Sequence, residues 1–162
     1  MRSSPPVPAP VHPQRFIGHI VTWALAVGLF TALAVAGSKD ASLDELKARI
    51  PSAKPDDQVQ LCLTVAERQV ASAHDLFRQG KTDEAQAAVR DVVTYSSQAR
   101  DAAGVTGHRL KNTEIDVRKM AHKLDEIKRS ISSEDQPPLQ AAIDELNKID
   151  TDLLNKMFKG GK

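Results

Sequence analysis

The chain has 162 residues, of which 22 are Lys or Arg and 21 are Asp or Glu, giving a net charge of +1. That is one domain's worth of chain, too close to neutral to hold nucleic acid by bulk charge. Hydrophobic residues make up 41%, enough for a core, and a single cysteine excludes a disulfide framework or a cysteine-rich metal site.

Residues 1–15 hold five of the nine prolines, Arg2 and Arg15, and no acidic residue. Each proline removes a backbone donor, so this stretch suits neither helix nor sheet. Charge is absent from Phe16 to Gly37 and returns with Lys39 and Asp40. Two readings fit residues 1–36. As an export signal, Arg15 closes a positive segment and 16–36 is the apolar run. Ala34 and Ala36 then give the small-x-small pattern of a cleavage site before Gly37. As an uncleaved signal anchor, the run is long enough to span a bilayer, with the two arginines holding its N-terminus in the cytoplasm. On either reading residues 38–162 are expected outside the cytoplasm, as a periplasmic or secreted domain or one tethered to the inner membrane. No cysteine stands directly after the run, so no lipoprotein anchor is expected, and no twin-arginine pair is present.

The remainder divides into a short helix and linker over 37–54, a helical bundle over 55–159 and a tail over 160–162. Good helix formers dominate, and no stretch alternates in the manner of a strand. Ser42 and Glu45 have capping-box spacing ahead of a short helix over 42–50, which Pro51 stops. Pro55 opens a second helix, with Asp56 and Asp57 complementing its N-terminal dipole. Val59, Leu63, Ala66, Val70, Ala73 and Phe77 form its apolar stripe, and Gly80 ends it. Thr82 is expected to cap a third helix whose inner face is small: Ala85, Ala88, Val89, Val92, Ser96, Ala99 and Ala103. Gly104 and Gly107 mark the next break.

The fourth helix is expected over 107–132, about 39 Å long. Leu110, Val117, Leu124 and Ile131 recur as heptad a positions, with Thr113, Met120 and Ile127 at d. Pro137 and Pro138 open the last helix, striped by Leu139, Ile143, Leu146, Ile149, Leu153 and Met157. The fold class that follows is all-α: an antiparallel up-down bundle of about four helices plus a short N-terminal one.

Residues 66–92 resemble a single tetratricopeptide-repeat hairpin. Ala73, Leu76, Gly80, Ala85, Val89 and Val92 match its small and apolar positions, and Gly80 to Ala85 read like its turn. The resemblance implies a helical hairpin over about a sixth of the chain. One period of about 34 residues beyond Ala85 falls on Lys119, so no array is expected.

Signals for chemistry are sparse. Cys62 has no histidine or cation within a helical turn to activate it. No Glu precedes a His by three residues, so the ligand pair of a di-metal bundle is missing among His74, His108 and His122. His122 and Glu126 fall at outer heptad positions. There is no glycine-rich phosphate loop and no Gly-x-Ser-x-Gly. Asp125 and Glu126 lie among lysines, as salt-bridge partners would. Three aromatic residues after Gly37 leave little for a stacking pocket. No catalytic, cofactor-binding or metal-binding residues, and no nucleic-acid partner, are therefore expected.

One charge feature stands out. Residues 107–132 carry seven Lys or Arg against four Asp or Glu. Lys111, Arg118, Lys119, His122, Lys123 and Arg129 form a stripe suited to an anionic protein or envelope component. The competing reading is a solvated face paired with Asp144, Glu145, Asp150 and Asp152. The expected function is an exported, non-enzymatic interaction module. The alternative is a membrane-anchored accessory subunit of an envelope complex, with a metal- or cofactor-binding bundle a third reading.

Overall fold

The computed structural model describes residues 41–159. Residues 1–40, with the stretch read as an export signal or anchor and the expected cleavage residues Ala34, Ala36 and Gly37, and the tail 160–162 lie outside the described residues. The described chain is helical: α1 (Leu43–Arg49), a 3-10 turn (Ile50–Ser52), α2 (Pro55–Arg78), α3 (Thr82–Thr106), α4 (Leu110–Ser130) and α5 (Gln136–Lys159), with no strand among the described residues.

The caps explain most boundaries. Ser42 Oγ accepts from the Glu45 N–H at 3.2 Å, and Glu45 Oε2 accepts from the Ser42 N–H at 2.9 Å, a complete capping box. Gly80, at φ +73°, ends α2 in a Schellman turn. Its N–H donates to Phe77 O at 3.0 Å, and the Lys81 N–H donates to Leu76 O at 2.9 Å. Thr82 does not cap α3. It is the first helical residue, and the cap position falls to Lys81 without a side-chain bond.

Two boundaries depart from the sequence expectation. Gly104 does not break α3, which runs on to Thr106 and stops at Gly107 in the left-handed conformation at φ +70°. Arg109 is also left-handed, at φ +60°, so α4 begins only at Leu110. Its 21 residues span about 32 Å, shorter than expected.

Side-chain pairings give the helix directions. Cys62 with Gln98 and Gln69 with Asp91 link α2 to α3 in opposite directions. Arg100 with Asp152 joins α3 to α5, and Lys156 lies over Gly104, so these two run side by side in the same direction. Asp56 with His108 and Gln60 with Arg109 place the starts of α2 and α4 together. The helices pack as a bundle: α2 lies chiefly on α3, α4 chiefly on α5, and the hairpins stack through α3 on α5 and α2 on α4. α3 also meets α4, whereas α2 and α5 do not meet. The small face of α3 suits this central position, because Ala85, Ala88, Ala99, Ala102 and Ala103 let several backbones approach.

The heptad positions of α4 fall where the pattern puts them. Val117, Met120, Leu124, Ile127 and Thr113 are buried, and Leu110 and Ile131 pack partly against the core. Thr113, the polar lapse in the seam, satisfies its hydroxyl by donating to Arg109 O at 2.9 Å. Three further residues of α2, Cys62, Val65 and Gln69, are also buried, because α2 is covered by α1, α3 and α4 together. α1 is held by a polar clasp. Lys47 Nζ donates to Asp91 Oδ2 at 2.7 Å and sits 5.4 Å from the Tyr95 ring centre, while Gln69 Nε2 donates to the same oxygen at 2.6 Å. The core closes within this unit: its buried apolar residues from Leu46 to Leu153, Ala85 apart, form one cluster, and Gly37–Lys162 is compact by itself.

Candidate functional site

α4 carries all six residues of the basic stripe, and each is exposed. Four of them already have an acidic partner on α4 itself. Arg118 Nη1 lies 2.9 Å from Glu114, Lys119 Nζ lies 3.2 Å from Asp116, and His122 Nδ1 lies 3.3 Å from Glu126. Arg129 pairs with Asp125, which also takes Lys128 at 2.9 Å. These are i,i+3 and i,i+4 neighbours, each worth a few tenths of a kcal/mol at an exposed site, roughly 0.3–0.5. Lys111 and Lys123 make no ion pair among the described residues.

The partners suggested on α5 are engaged elsewhere. Asp152 binds Arg100 at 3.2 Å, Glu145 binds Lys148 at 2.7 Å, and Asp144 accepts from Gln140 at 2.9 Å. Asp150 turns inward to Glu114. The stripe is therefore neutralised largely along its own helix and not by the helix next door.

A wide concavity among the described residues lies at the end of the bundle where α3 and α5 finish and α4 starts. It measures about 1120 Å³ and is lined by Gly104, Arg109, Lys111, Asp152, Lys156 and Lys159, among others. Arg109 Nη1 donates to Gln60 Oε1 at 3.1 Å, and its charge also acts on the nearby Asp56 carboxylate. Arg109, Lys156 and Lys159 were not singled out in the sequence, where they stand up to fifty positions apart. The signal was present but needed topology: only when α4 begins where α5 ends do these cations meet.

The potentially reactive groups sit in inert surroundings. Cys62 is fully buried, its Sγ 3.7 Å from Gln98 Oε1, and desolvation pushes the thiol up to about 11. A disulfide between two copies through Cys62 would require the bundle to open. Asp125 is held below the ordinary carboxyl range, chiefly by its hydrogen bond to Lys128, and so behaves as a salt-bridge partner. Glu114 is 4% exposed, and its carboxyl is raised, first by burial and then by the hydrogen-bonding approach of Asp150. Sequence reasoning missed Glu114, since its heptad position e is covered only because α5 flanks that side. His74, His108 and His122 lie apart, and no group of three His, Cys, Asp or Glu residues is placed to hold a metal ion among the described residues. Nor is any described helix long and apolar enough to cross a membrane.

No protein-family model, curated protein or solved structure matches the chain.

Proposed function

We propose that the chain is an exported, non-enzymatic binding module. An up-down bundle of α2–α5 follows an N-terminal export signal, and α4 meets an anionic protein or envelope component. The observation that carries this reading is the exposure of Lys111, Arg118, Lys119, His122, Lys123 and Arg129 on one helix. Their partners on α4 are mostly exposed or half-exposed, so an incoming anion exchanges one surface ion pair for another at little cost. Lys111 and Lys123 are free to engage first.

Crosslinking in the native cell, followed by capture on purified protein, tests the reading. Reversing Lys111, Arg118 and Arg129 to glutamate abolishes capture while leaving the helical signal nearly unchanged. Raising salt also releases the partner, because the Debye length falls from about 10 Å at 0.1 M to about 3 Å at 1 M. Salt-insensitive capture by the triple variant would overturn the role of α4. The mass of the mature chain separates the two export readings: a start at Gly37 indicates a cleaved signal, and an intact Met1 in the membrane fraction indicates an anchored subunit.

A further inference from the structure

The groove at the bundle end combines three features that ordinary stability does not explain together. The first is charge. Arg109, Lys111, Lys156 and Lys159 line it against the single carboxylate of Asp152, which Arg100 already holds. The cations at the end of α5 have a local rationale, since they complement a helix C-terminus. Those at the start of α4 do not. The first turn of α4 has no acidic residue and no side-chain cap. Arg109 and Lys111 therefore add positive charge where the helix dipole is already positive.

The second feature is apolar. Among the described residues two large hydrophobic side chains are exposed, Val105 at 76% and Phe158 at 79%. Single exposed apolar residues are ordinary. Here both fall in the segments that line the groove: Val105 between Gly104 and Gly107, Phe158 between Met157 and Lys159. The third feature is location. All of these residues belong to one end of the bundle, where α3 and α5 terminate and α4 begins.

We propose that this end of the bundle docks on an anionic phospholipid surface, with Arg109, Lys111, Lys156 and Lys159 against the headgroups and Phe158 and Val105 at the acyl boundary. An apolar side chain flanked by cations is the arrangement that lies in a membrane interface, and each cation near an anionic leaflet adds to the attraction. An acidic peptide would satisfy the cations but would leave Phe158 exposed. The surface is distinct from the α4 stripe except for Lys111. It requires that the bundle meet a membrane, which the export reading supplies.

The test uses the Gly37–Lys162 chain, whose core closes on its own side chains. It is mixed with vesicles of phosphatidylcholine alone and of phosphatidylcholine with phosphatidylglycerol, and pelleting is measured. The expected result is binding to the anionic vesicles only, lost at high salt. The pair Lys156→Glu and Lys159→Glu weakens it by about tenfold or more, and the milder Lys156→Gln with Lys159→Gln weakens it less. Phe158→Trp places the only tryptophan in this chain, since Trp23 lies outside it. Its emission shifts to the blue on anionic vesicles. Equal binding to both vesicle types, no binding, or unchanged binding by both lysine variants would each overturn the proposal. So would tighter binding of polyglutamate with no emission shift, which would assign the groove to an acidic protein. Protein capture through α4 is expected to survive the Lys156 and Lys159 changes, so the two surfaces fail separately.

Discussion

Glu114 of α4 and Asp150 of α5 bring their carboxyl groups together across the helix interface, and the buried Asp150 Oδ1 has no hydrogen-bond partner. Arg118 lies 2.9 Å from Glu114 but is itself exposed, so its attraction is screened by water. Burial and Asp150 outweigh it, and the Glu114 carboxyl is raised above its ordinary 4.5. Protonation of Glu114 relieves its repulsion by Asp150.

That pairing sets a pH dependence. The folded chain holds the Glu114 proton more tightly than the unfolded chain does. Its contribution to stability is fully present below about pH 4.5 and is lost as pH rises through the raised folded value. Glu114→Gln keeps a donor for Asp150 and removes the charge. It should stabilise the protein at pH 7 by about 1 kcal/mol and have little effect near pH 4. Chemical denaturation of both proteins at the two pH values measures this. A loss of stability at pH 7 would show that the Arg118 pair dominates instead.

The α4 seam gives a packing prediction. Leu124 is completely buried, so Leu124→Ala should cost roughly 2–5 kcal/mol. Ile115 is half-buried, in a shallow groove with Val59 and Leu63 of α2. Its truncation should cost about 1 kcal/mol, since fewer methylenes leave contact and no closed cavity forms. Equal losses in denaturant titrations would place the seam on a different face.

Asp91 gives a sharper polar prediction. It accepts from both Lys47 and Gln69, and Gln69 is buried. Asp91→Ala leaves that amide without its acceptor and should cost roughly 1–3 kcal/mol. Lys47→Met removes only a partly exposed donor and should cost less than about 1 kcal/mol. Because Lys47 anchors α1, limited proteolysis around residues 41–54 should speed up in both variants, ahead of cleavage in α2–α5. Unchanged proteolysis would show that Leu46 and Ile50 alone hold α1 in place.

Cys62 reports on opening of the bundle. Its thiol, pushed up to about 11 and fully buried, is almost entirely protonated at pH 8. Modification by a thiol reagent should be slower in the native chain than in denaturant by at least about a hundredfold, since only the thiolate reacts. Destabilising changes such as Leu124→Ala should raise the native rate. Fast labelling of the native chain would mean that α2 and α3 separate without global unfolding.

Elements and faces were legible because each depends on local chemistry. The capping box at Ser42, the stop at Gly80 and the apolar spacing in α4 are set within a few residues, and the structure shows each one. What was not legible needs knowledge of neighbours. Glu114 is buried because α5 covers its side of α4. Gln69 is buried because α1 lies over α2. The basic groove exists because Arg109 and Lys159, far apart in sequence, meet at one end. The misplaced break at Gly104 has a different origin. Glycine tolerates a left-handed backbone but does not enforce it, and the helix ended at the next glycine instead.

That pair of glycines supports a prediction in which the same substitution has opposite signs. Gly107 closes α3 at φ +70°, with nothing within 4 Å of where a Cβ would stand. Space is therefore not the constraint; the backbone conformation is. An L-residue pays about 1–2 kcal/mol to adopt it, so Gly107→Ala should destabilise by about that amount. Gly104 lies inside α3, where glycine is worse than alanine by roughly 0.5–1 kcal/mol. An added Cβ would meet Lys156 Nζ at 2.5 Å, but that atom is the free end of a flexible side chain that makes no ion pair among the described residues. Lys156 can swing into solvent, so most of the helix-propensity gain survives. Gly104→Ala should therefore stabilise by up to about 0.5–1 kcal/mol. Thermal melts of the two variants beside the parent should bracket it, with Gly104→Ala above and Gly107→Ala below. If Gly104→Ala melts lower, Lys156 is held over Gly104 by more than packing. If Gly107→Ala melts unchanged, the turn relaxes to another conformation and the left-handed residue at Arg109 is the one that fixes the start of α4.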